Sequence, residues 1–186
     1  MNRDRQQIVQ DALVFALLIA IGVAGRWSQP QWCFTPTAAA AIFAGCYFSR
    51  AAIAAMVPLA ILLISDLALP AHNSAPVMIA TYGVMATAVL LGRLLRGKHA
   101  MWSWVGRWAM CSFVPATLFF LVTNFAVWAF QSDYAKTPAG LVECYLRAVP
   151  FYRWMLAGDA FYLALLFACA ALVGVRFVGR ARLGAR

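Results

Sequence analysis

The sequence is short of charge. Only 11% of its 186 residues are Asp, Glu, Lys or Arg, against roughly a quarter in a soluble domain. Acids are scarcest, with six Asp+Glu, and histidine occurs twice. A soluble enzyme and a disordered chain both need more solvated surface than this, and both are excluded. Motifs are missing too. HExxH, GxSxG, the P-loop and paired-cysteine metal spacings do not occur, and neither three convergent metal ligands nor a nucleophile with its base can be picked out. The expectation is a protein that is not an enzyme, with no cofactor and no resident metal. The one enzymatic alternative is Asp66 or Asp159 as a general base tuned by burial. The five cysteines, at 33, 46, 111, 144 and 169, form no CxxC. Cys46, Cys111 and Cys169 sit in apolar runs, where a thiol acts as a small hydrophobe. Cys33 and Cys144 lie nearer segment ends and could pair on an oxidising side.

What the sequence has is apolar length. Hydrophobic residues make up 65% of it, and the mean hydropathy is +0.79, enough for several spans of about 20 residues each. Six apolar runs are expected as helices, at 8–25, 37–48, 51–69, 76–95, 108–130 and 154–175. The second is short for a full span. Together they define an all-α, polytopic bundle of six transmembrane helices in a single integral membrane domain. Prolines at 30, 36 and 70 mark hinges between runs. Residues 131–153, with Pro138 and a short amphipathic stretch, read as an outer folded cap, and 176–186 as a basic tail.

Charge placement sets orientation. With the N-terminus inside and six spans, Arg3, Arg5, Arg50, Arg93, Arg96, Lys98, Arg107, Arg176, Arg180, Arg182 and Arg186 are cytoplasmic, while Arg26, Lys136, Arg147 and Arg153 are outside. This asymmetry follows the positive-inside rule and puts both termini in the cytoplasm. The net charge of +9 then serves topology and anionic lipid, and nucleic acid is not a partner. Alternatively the first run is a cleaved signal peptide, with Gly22-Val23-Ala24 as its cleavage region.

Polar side chains gather on the outer side. Asp66 ends the third run, and His72 and Asn73 follow in its loop. Asn124 and Trp128 share a face of the fifth helix, Asp159 and Tyr162 begin the sixth, and Tyr145 lies in the cap. Membrane carboxylates cost about 2.5–3.5 kcal/mol at the bilayer centre and normally face an interior or a cavity. These eight residues are therefore candidate substrate ligands around an outward pocket. Asp66 could instead pair with Arg153 or Arg147, Asp159 could serve a helix N-terminus, and Trp and Tyr could be interfacial. On the first helix Ala12, Ala16, Ala20 and Ala24 recur every four residues, a ridge that would let another helix approach closely, inside the bundle or from a partner protein.

Taken together, six helices, inner termini, an outward capped pocket and an alanine ridge resemble the S components of energy-coupling factor (ECF) transporters. The stretches Phe34-Thr35-Pro36-Thr37, Ser65-Asp66-Leu67, Thr123-Asn124-Phe125-Ala126-Val127-Trp128 and Thr137-Pro138-Ala139-Gly140-Leu141, with Pro150-Phe151 and Gly158-Asp159 ahead of Tyr162, are similar to an uncharacterised family of bacterial proteins described as transport proteins. The resemblance implies a bacterial inner-membrane protein for uptake of a small vitamin-like molecule. It also implies docking of an ECF coupling subunit, with its ATPases, on the alanine ridge, unless the protein works alone as cobalamin carriers related to S components do. A cobalamin ligand would give His72 a metal to coordinate. The competing expectation is a non-transporting membrane scaffold that binds partner membrane proteins and holds no ligand.

Overall fold

The centre of the molecule is its smallest helix. In the computed structural model, which describes residues 3–28, 32–69, 74–96, 101–175 and 177, six helices run in chain order: α1 Arg3–Trp27, α2 Thr37–Tyr47, α3 Ala51–Ser65, α4 Ala75–Leu94, α5 Met101–Phe130 and α6 Pro138–Leu172. There is no strand among the described residues. All 11 residues of α2 are buried, and α2 touches each of the other five helices. Its alanines and glycine explain this, because small side chains admit close neighbours on every side.

The closest crossing is with α4. A Cβ on Gly45 would stand 2.0 Å from the Val89 carbonyl oxygen, and one on Gly92 would stand 1.9 Å from that of Ile42. Backbone therefore meets backbone in both directions, and only glycine fits at either position. The small residues of the second run thus serve internal packing.

At about 1.5 Å per residue, α2 is roughly 16 Å long and α3 roughly 22 Å, both short of a hydrocarbon core of about 30 Å. The four others are long and apolar enough to cross a membrane. α1 packs on α2 and α3 through a face that buries Leu18 and Gly22, while Ala12, Ala16, Ala20 and Ala24 are all exposed on the opposite face. At the far end of the bundle, arginines close helix C-termini. Arg96 donates to the carbonyls of Gly45 and Phe48, and Arg107 donates to that of Leu94 at 2.6 Å. Basic residues there satisfy orphan carbonyls and meet the negative ends of helix dipoles.

The outer cap is where sequence and structure part. Residues 138–153 form no separate unit; they are the first turns of α6, which runs unbroken for 35 residues. Thr137 is its N-cap, accepting from the Gly140 amide, and Pro138 occupies the first turn, where its missing N–H costs nothing. Pro150 lies inside the helix, as Pro58 and Pro115 do in α3 and α5. Prolines are tolerated in such apolar helices when neighbours and local adjustments satisfy the freed backbone groups. Asp159 accordingly lies mid-helix, and no helix N-terminus accounts for it.

Candidate functional site

α1 and α3 end, and α2 and α4 begin, at the same end of the bundle, against the middle turns of α5 and α6. A cavity of about 200 Å³ lies there, lined by Arg26 of α1, Cys33, Thr35, Thr37 and Ala38, Leu62, Thr81 and Met85, Phe119 of α5, and Met155 and Asp159 of α6. It is smaller than the ~300–1,000 Å³ of pockets for drug-sized ligands, and it suits a small molecule.

Its two charged walls differ. Arg26 donates through Nη2 to Asp66 Oδ1 at 2.7 Å, and the Tyr82 hydroxyl donates to Asp66 Oδ2 at 2.8 Å. Asp66 thus supplies Arg26 with a counter-charge, although Arg26 Nε is buried without a hydrogen-bond partner among the described residues. Across the cavity, Asp159 is 3% exposed, and its Oδ2 has no hydrogen-bond partner among the described residues. Buried carboxylates in proteins are ordinarily paired or hydrogen-bonded, because desolvation otherwise costs several kcal/mol.

The segment leading into α2 bridges these walls. Cys33 takes φ 68°, a left-handed conformation that costs a non-glycine residue about 1–2 kcal/mol. Burial pushes its thiol up, Arg26 pulls it down, and Asp159 pushes it up again, so the thiol feels both charges. Aromatic contacts fasten the segment to α6: Trp32 on Phe151 with ring centres 6.1 Å apart, and Phe34 on Tyr162 at 5.3 Å. Gly158 makes the fit possible, since a Cβ there would stand 3.2 Å from Phe34 Cα and 3.3 Å from the Thr35 nitrogen.

Of the eight residues expected to bind substrate, Asp159 lines the cavity, and Asp66 stands behind its wall through Arg26. Asp66 pairs with Arg26 and not with Arg147, which bonds Glu143 at 2.7 Å. Tyr162 packs on Phe34 and supports the bridging segment. The other described candidates lie elsewhere. The Asn124 amide donates to the Phe120 carbonyl at 2.7 Å, the Trp128 indole to Ala135 at 3.0 Å, and the Tyr145 hydroxyl to Leu121 at 2.7 Å. The Tyr145 bond joins α6 to α5 and the Trp128 bond ties α5 to the connection, while that of Asn124 stays within α5. His72 and Asn73, like His99, lie outside the described residues. Cys144 donates to the Asn124 carbonyl at 3.4 Å, in the α5–α6 contact, whereas Cys33 lines the cavity.

Arg26 is the residue the sequence reading passed over. The signal was present: an arginine in the last turn of an apolar helix, on the side where basic residues are few. The threonines at 35, 37 and 81 gave no such signal, because threonine is common in apolar helices.

Among the described residues the chain is all-helical, with four membrane-length apolar helices, a buried central helix and a cavity that carries Arg26 and Asp159 in its wall. Residues 6–181 match a family model described as Family of unknown function (DUF6580), and the chain belongs to that family. Neither a curated protein nor a solved structure matches the chain significantly.

Proposed function

We propose that the protein binds a small, vitamin-like molecule for uptake across the bacterial inner membrane, in the manner of an ECF S component, with six spans and both termini cytoplasmic. The observation that carries this reading is Asp159, a buried carboxylate without a hydrogen-bond partner among the described residues, in the wall of a cavity that also holds Arg26. A carboxylate kept at that cost in an apolar helix is a functional site by default. The exposed face carrying Ala12, Ala16, Ala20 and Ala24 supports docking of a coupling subunit, since a smooth surface on an apolar helix suits close helix approach. The bundle supplies no nucleotide-binding motif, so energy would come from that partner.

The test is mass spectrometry of small molecules released from protein purified in mild detergent. Wild type and Asn124→Ala are expected to carry the same compound, and Asp159→Ala to be depleted of it at least tenfold. Equal loading of all three would remove Asp159 from the site. Protein that carries no compound and co-purifies with a membrane protein would favour the scaffold.

A further inference from the structure

The chemistry of the cavity narrows what it binds. This step rests on the reading of the cavity as a small-molecule site. Among the described lining residues Arg26 and Asp159 are the basic and the acidic side chain, and Arg26 already meets Asp66 at 2.7 Å. Arg26 thus has a counter-charge, whereas the carboxyl of Asp159, with Oδ2 unbonded, has none among the described residues. An anionic ligand would bring negative charge beside a desolvated carboxyl, and Arg26, whose Nε is open to it, already shares its charge with Asp66. A neutral ligand would leave the deficit as it stands.

A metal cation is a poor fit. One carboxylate and three threonines are not the oxygen cage that hard cations need, and no group of three or more His, Cys, Asp or Glu is placed to hold a metal among the described residues. The volume of about 200 Å³ also exceeds what a bare ion fills. Trp32, Phe119, Met85 and Met155 offer aromatic and polarizable surface in the same wall, which suits the body of an organic cation and attracts its charge.

We propose that the ligand is a small organic monocation with an N–H donor, a protonated amine that bonds Asp159 while its apolar body lies against Trp32, Phe119 and the two methionines. Threonine hydroxyls of Thr35, Thr37 and Thr81 then serve any neutral polar groups it carries.

The experiment compares matched probes on the purified full-length protein by thermal unfolding in detergent. The probes are benzylammonium, benzyl alcohol and benzoate, and butylammonium, butanol and butyrate. Saturating ammonium probes are expected to raise Tm by roughly 3–6 °C, the shift produced by tenfold excess over Kd, with the alcohols and carboxylates near zero. Asp159→Asn is expected to abolish the ammonium shift. An equal or larger shift with an alcohol or carboxylate overturns the cationic class and leaves small-molecule binding standing. An ammonium shift that persists in Asp159→Asn also overturns the proposal, because the contact would lie elsewhere. No shift with any probe overturns both. If Asp159→Asn does not fold, the ranking within each set on wild type still decides.

Discussion

Two polar clusters sit in this apolar bundle, and they differ in whether their needs are met. Between α5 and α6, Asn124, Trp128, Cys144 and Tyr145 each have a bond to a backbone carbonyl or a helix neighbour, and Lys136 donates to the carbonyls of Trp128 and Gln131. Around the cavity, Asp159 Oδ2 and Arg26 Nε have no partner among the described residues. The first cluster closes on itself and holds two helices together. The second retains bonding capacity at a cost to stability. Polarity within a membrane helix therefore does not by itself mark a site.

The contrast is open to attack at several points. The largest effect is expected from Asp66→Ala, which leaves Arg26 without its counter-charge. Breaking a buried pair costs about 3–5 kcal/mol, and the lower end applies because the two side chains keep 17% and 18% exposure. An unchanged unfolding temperature would mean that the pair contributes nothing. Next is Tyr145→Phe, which removes the bond to Leu121 and should cost about 1 kcal/mol while ligand content stays that of wild type. Loss of ligand in this variant would merge the two clusters. Asp159→Asn should move stability the other way, by about 1 kcal/mol upward, since removing a functional group held at a cost commonly stabilises. A drop as large as that of Tyr145→Phe would erase the distinction. Smallest is Gly158→Ala, whose methyl must displace Phe34 by a few tenths of an ångström. Ligand affinity should fall a few-fold in a binding titration with little change in Tm, and an affinity equal to wild type would separate the 32–36 segment from binding.

Much of the fold was legible because apolar length and proline hinges are local signals. The beginnings of α2 and α4 follow directly from Pro36 and the Ala75-Pro76 start. The start of α6 was equally local. Thr137-Pro138 is a helix-start pair, but the polar residues of 131–153 and their short amphipathic stretch read as a separate cap. In water that inference is sound; beside α5, the helix passes through it. The site was half legible. Asp66 and Asp159 stand out because carboxylates are rare here, yet which arginine meets Asp66 depends on a contact 40 residues away. Asn124, Trp128 and Tyr145 looked like Asp159 in sequence, since nothing local tells whether a polar group will find a backbone partner.

The glycine crossing of α2 and α4 has a mechanical consequence. With carbonyls seated where side chains would be, neither helix can slide along the other, so the pair behaves as a single rigid frame. α1 and α6 share no contact among the described residues; both pack on α2, and the 32–36 segment lies between them. Arg26 and Asp159 thus stand on two helices packed on one frame. A molecule bonded to both side chains would brace α1 against α6 across that frame.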